Sequence, residues 1–168
     1  MSGPRPDSID ALIAAAFAME QHAARRYAEL ADTMEACNNR EVAALFRKMA
    51  GYEAEHAEAM RRRLATQDHP PAFADPELDG PETVPTDALH YLMHPWHALQ
   101  LAMAAERRAH DFFAKLAEGM DDGELRRATL ALQREEAEHI ALLEDWIERY
   151  PPPDKDWSLD PDPPRYND

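Results

Sequence analysis

One cysteine, five glycines and no long apolar run set the first limits on this chain of 168 residues. A lone Cys37 cannot close an internal disulfide and leaves no Cys-x-x-Cys pair for a redox or zinc motif. No stretch approaches the roughly 20 apolar residues of a membrane span, and the opening MSGPRPDSID has no signal-peptide apolar region. Basic side chains are also scarce, 18 against 33 acids, for a net charge of −15. That balance argues against nucleic-acid and anionic-membrane partners. Neither a glycine-rich phosphate loop nor a nucleophile elbow occurs, so nucleotide and acyl-transfer chemistry have no support. The expected location is cytoplasmic.

What the chain has in quantity is Ala, Leu, Glu, Arg and Met, the composition of an all-α protein. Asp7 or Ser8 can cap a first helix running to about Met34, and Asn39 a second ending near Thr66. The segment TQDHPPAFADPELDGPETVPTD carries Pro70, Pro71, Pro76, Pro81 and Pro85 and cannot be helical. Helical pattern resumes near Thr86, and Pro95 serves as the first-turn proline of a third helix ending near Gly119. Asp121-Asp122-Gly123-Glu124 reads as a turn and capping box opening a fourth, which stops before Pro151.

Loop lengths then set the topology. Two short turns make two antiparallel hairpins. The crossover at about 67–86 can stretch to roughly 65 Å, more than the roughly 40 Å of a 26-residue helix. It can therefore run the length of the bundle and leave helices two and three parallel. The expectation is a ferritin-like four-helix bundle over 1–150, followed by a proline-rich acidic tail over 151–168.

The word EAEH occurs twice, as Glu53-Ala54-Glu55-His56 and Glu136-Ala137-Glu138-His139. Residues i and i+3 share a helix face about 60° apart, so Glu53 projects with His56 and Glu136 with His139. Glu55 and Glu138 fall on the solvated side. The apolar stripes of the helices are Ile13, Phe17, Glu20, Ala24, Tyr27, Ala31, Met34; then Val42, Phe46, Met49, Glu53, His56, Met60; then Trp96, Leu99, Met103, Glu106, His110, Phe113, Ala117; and last Leu125, Thr129, Leu132, Glu136, His139, Leu143, Trp146, Tyr150. Each is interrupted near its middle by an acid or a histidine. AMEQHAARRY around Glu20 matches AAERRAHDFF around Glu106 in register, which points to an internal duplication.

One such acid or histidine on a helix face is more often a helix-end residue or a hydrogen-bonded core histidine than a ligand. Six at mid-helix, in duplicate, are different. Four buried carboxylates without compensation would be costly, whereas two divalent cations balance them and two imidazoles complete the donor set. A glutamate from each of two helices with Glu-x-x-His from the other two is a dimetal carboxylate arrangement.

In detail the chain resembles the rubrerythrins, through AMEQHAARRY, YEAEHAEAM and REEAEHIALLE. The resemblance spans about 8–150. It implies two iron ions, with manganese or zinc as alternatives, bridged by Glu53 and Glu136. Glu20 and Glu106 would be terminal carboxylates, and His56 and His139 would give one nitrogen to each metal. Tyr27 matches a tyrosine that hydrogen-bonds a ligand carboxylate, the alternative being a packing role. Rubrerythrins usually carry a further glutamate three residues after the third-helix ligand, where this chain has Ala109. Their rubredoxin domain, with four cysteines, has no counterpart here, so electrons would come from an external donor.

His110 is expected either as a seventh ligand or proton donor, or as a hydrogen-bonded core histidine. His22, His69, His90, His94 and His97 are expected on surfaces or in loops. The activity implied is reduction of peroxide or oxygen; a ferritin-type ferroxidase and a non-enzymatic metal-stabilised scaffold are the alternatives. A homodimer is expected from the resemblance alone.

Overall fold

The computed structural model describes residues 5–65 and 81–163. Four long helices account for most of them: α1 (Ile9–Ala36), α2 (Arg40–Ala65), α3 (Pro95–Glu118) and α4 (Glu124–Ile147), with one 3₁₀ turn at Thr86–Ala88. The described residues contain no strand.

Local chemistry explains most of the boundaries. Ser8 caps α1, its hydroxyl accepting from the Ala11 amide at 3.1 Å. Between α1 and α2 the chain turns through Asn38 at φ 60, a left-handed conformation that asparagine tolerates better than most residues. Asn39 then caps α2, its Oδ1 accepting from the Val42 amide at 3.3 Å. Its Nδ2 donates to the carbonyls of Tyr91 at 3.2 Å and Met93 at 2.7 Å. One side chain thus starts α2 and anchors the lead into α3. Pro95 is in the first turn of α3, where its missing N–H costs nothing. The expected capping box at α4 does not form: Gly123 is the N-cap, and without a side chain it makes no cap bond.

Helices α1 and α2 pack closely as one hairpin, and α3 and α4 as the other. Two apolar clusters fix their directions. The larger joins Tyr27, Leu30 and Met34 with Val42, Phe46 and Met49, Leu99 and Met103, and Leu143 and Trp146. It therefore gathers the C-terminal halves of α1 and α4 with the N-terminal halves of α2 and α3. The smaller joins Leu12 and Phe17 with Met60 and Leu64, Phe113 and Leu132, from the opposite halves. Each hairpin is therefore antiparallel and α2 runs parallel to α3, as a full-length crossover requires. Each fully buried leucine or phenylalanine contributes about 1.5–3 kcal/mol, and the acids at mid-helix lie between the two clusters.

Other expectations meet the structure unevenly. Of the crossover predicted at 67–86, residues 67–80 lie outside the described residues, His69 among them. His22, expected at the surface, is instead buried, at 8% exposed. The tail docks: Trp157 packs on His97 at 4.0 Å and on His90 at 5.0 Å between ring centroids, and Tyr91 donates to Asp160 at 2.8 Å.

Candidate metal centre

The predicted stripes converge at mid-bundle. Glu20 from α1, Glu53 from α2, Glu106 from α3 and Glu136 from α4 are all buried, each 5% exposed or less. His56 and His139 stand half-buried between them, their rings stacked at 4.1 Å with an interplanar angle of 6°. The arrangement repeats by hairpin. His56 Nδ1 lies 3.7 Å from both Glu20 Oε2 and Glu53 Oε2. His139 Nδ1 lies 3.2 Å from Glu106 Oε2 and 3.4 Å from Glu136 Oε2. Glu55 and Glu138 are exposed, as the helical phase requires.

A fifth acid, the seventh residue of the group, joins them that helical periodicity could not find. Glu82 belongs to the end of the crossover, outside any helix, yet it is only 2% exposed. Its carboxylate groups with Glu53, Glu106 and His139, one donor atom from each lying within 4.8 Å of the others. A second such group is Glu53, His56 and His139.

The electrostatics are those of a site crowded with like charge. Burial raises the pKa of Glu20 well above the carboxylate range, despite the opposing pull of His56. Burial likewise raises Glu106, to about 8, and Glu82, where the charges of the other acids add to it. For Glu53 burial also pushes upward, but His56, Glu20 and His139 outweigh it and hold this carboxyl below its ordinary value. Glu20 and Glu53 hold His56 up to about 9. Burial opposes the charge on His139, yet Glu106 and Glu136 hold it up to about 11. The metal-free centre therefore stores protons that cations would displace.

Several polar atoms of the centre are poorly satisfied. Glu20 Oε2, Glu53 Oε2, Glu136 Oε2, His56 Nδ1, the Tyr27 hydroxyl and both oxygens of Glu82 are buried without a hydrogen-bond partner. Natural interiors seldom leave such atoms unpaired. Carboxylate oxygens with one imidazole nitrogen per hairpin are the donors that iron or manganese takes, so the residues present fit a pair of divalent cations. The Rubrerythrin family model matches residues 11–147. The chain belongs to the rubrerythrin family. It is also similar to a solved structure of an uncharacterised conserved protein from Magnetospirillum magnetotacticum MS-1. The two are 37% identical with a TM-score of 0.60, the match covering 84% of this chain and 95% of that one. No curated protein matches the chain.

The remaining candidates fall around this centre. Tyr27 of this rubrerythrin-family chain is buried at 1% exposed and stacks on Phe46 at 6.1 Å. It lines the same cavity as Glu53, His56, Glu106 and His139. His110 turns elsewhere: its ring nitrogens meet Asp111 Oδ1 and Gln133 Nε2, each at 3.2 Å. It belongs to neither donor group found among the described residues. Ala109 is fully buried and offers no donor. No described helix is long and apolar enough to cross a membrane.

Proposed function

We propose that the protein is a non-haem di-iron redox protein that reduces hydrogen peroxide or dioxygen with electrons from a separate donor. The observation that carries this reading is the set of partnerless buried oxygens gathered around two stacked imidazoles. Glu20, Glu53, His56, Glu106, Glu136 and His139 would hold the two ions. Manganese or zinc would meet the same donors. A reduced iron pair supplies one electron from each ion to an O–O bond.

The chain's own residues supply position, protons and exclusion of bulk water. Beside the donors lies a cavity of about 30 Å³, walled by Tyr27, Tyr52, Leu142 and Trp146. That is room for one or two water-sized molecules, which suits peroxide or dioxygen and not a bulky organic substrate. Reduction of peroxide to two waters consumes two protons. Glu106 lines this cavity as a carboxylate donor to the ions and gives up its proton when they bind. Tyr27 also lines the cavity, and its buried hydroxyl, which has no hydrogen-bond partner, would be the proton donor.

An external electron donor belongs to this reading as an expectation. A homodimer and a cytoplasmic location accompany this reading as expectations, and sedimentation tests the first.

The test is stopped-flow absorbance on protein loaded anaerobically with two ferrous ions per chain, mixed separately with peroxide and oxygen. Faster oxidation by peroxide identifies a peroxidase. Oxygen reacting as fast or faster identifies an oxidase or a ferritin-type iron handler. Failure to bind two ferrous ions overturns the di-iron reading altogether.

A further inference from the structure

The crossover is fastened to the bundle on both sides of one residue. Arg108, on α3, donates through Nε to the Pro81 carbonyl at 2.8 Å and through an NH2 group to the Thr83 carbonyl at 2.9 Å. From α1, Arg26 donates to the Val84 carbonyl at 2.9 Å, and the Val84 side chain is buried at 1% exposed. A guanidinium has a rigid planar fork, so two carbonyls held by Arg108 fix the backbone that runs between them. The residue between them is Glu82.

The fastening aims that side chain inward. Glu82 is 2% exposed, and neither of its oxygens has a hydrogen-bond partner. A structural buried carboxyl ordinarily finds a donor for its oxygens. This one instead lies with Glu53, Glu106 and His139, close enough that one donor atom from each falls within 4.8 Å of the rest. His56 does not belong to this group; it forms the other group, with Glu53 and His139. The two halves of the centre are therefore unequal. One turn after Glu106, α3 offers only Ala109, so an additional acid on that side comes from outside the helices.

We propose that Glu82 is a seventh protein ligand, binding the metal held by Glu106 and His139, and that Arg108 is the positioning residue that delivers it. The inference rests on the two-metal reading above. It makes the position beside His139 richer in carboxylate than the one beside His56, and so the stronger site for a hard divalent cation. It also gives the crossover a role in the centre, because displacing the segment around Glu82 withdraws a ligand.

The experiment is an anaerobic cobalt(II) titration of the full chain, followed by visible absorption and calorimetry, for wild type, Glu82→Gln and Arg108→Ala. Glutamine keeps the size of the neutral carboxyl, and circular dichroism of each metal-free variant checks the fold. Wild type should bind two cobalt ions in distinguishable steps. Glu82→Gln should weaken one step at least tenfold and change its absorption band while leaving the other intact. Arg108→Ala should weaken the same step. Wild-type affinities and spectrum in Glu82→Gln would overturn the proposal and leave Glu82 as a buried neutral acid, with the two-metal reading still standing. Equal weakening of both steps would overturn it too, since the effect would not belong to one position. Fewer than two cobalt ions in wild type would remove the two-metal reading and the ligand role with it.

Discussion

Raising the pH of the metal-free protein from about 6 to about 8 should weaken its fold, because the folded chain keeps protons that the unfolded chain has released. Burial lifts Glu106 from an ordinary 4.5 to about 8. His139, opposed by burial but supported by Glu106 and Glu136, rises from 6.5 to about 11. Both folded values exceed the unfolded ones. The stability these groups contribute is thus complete below the unfolded pKa and is lost as pH climbs through the folded one. Glu53, held below its ordinary value, titrates beneath this window and does not oppose the trend.

For Glu106 alone, linkage over that interval gives a loss of about 2 kcal/mol. His139 acts in the same direction but owes its elevation to the same carboxylates, so the contributions overlap and about 2 kcal/mol stands for the pair. In a chain of this size that lowers Tm by roughly 4–8 °C. Calorimetric melts of chelator-treated protein at constant ionic strength measure it, with Glu106→Gln alongside. Glutamine cannot titrate, so the variant's Tm should fall less steeply with pH. Added manganese(II) should stabilise more as pH rises, since binding needs the same groups deprotonated. A metal-free Tm that is flat or rising between those values, or a Glu106→Gln curve parallel to wild type, would refute the reasoning.

Three other outcomes are expected. Glu53→Ala and Glu136→Ala should each lose much of the bound iron measured by elemental analysis, whereas Glu55→Ala and Glu138→Ala, altered on the exposed face, should keep it all. Tyr27→Phe removes a buried hydroxyl that has no partner. The metal-free variant should therefore gain about 1 kcal/mol in urea melts, and a comparable loss would mean that the hydroxyl is bonded. His110→Ala should leave iron stoichiometry unchanged, because its ring bonds Asp111 and Gln133; a missing equivalent would make it a ligand.

Helical phase made six residues of the centre legible in sequence. A helix places every side chain at a fixed angle from its neighbours, so the apolar stripe that defines the core also shows which acids enter it. The same rule placed Glu55 and Glu138 outside. Caps were legible where a side chain makes them, as at Ser8 and Asn39. The box expected at Asp121 to Glu124 failed because the chain placed a side-chain-free glycine at the cap.

Tertiary structure alone decided the rest. His22 and His110 are both histidines on helices, and only packing against neighbours made one buried and turned the other toward Gln133. Glu82 is the clearest case. It lies in a proline-rich stretch with no repeating angle from which to read a direction, and its inward course depends on carbonyls seized by Arg108 and Arg26 from two different helices. The sequence by itself determined the four-helix bundle and the inward or half-inward course of six acids and histidines, because those follow from periodicity. Which acid the crossover delivers depended on long-range hydrogen bonds that no local pattern encodes.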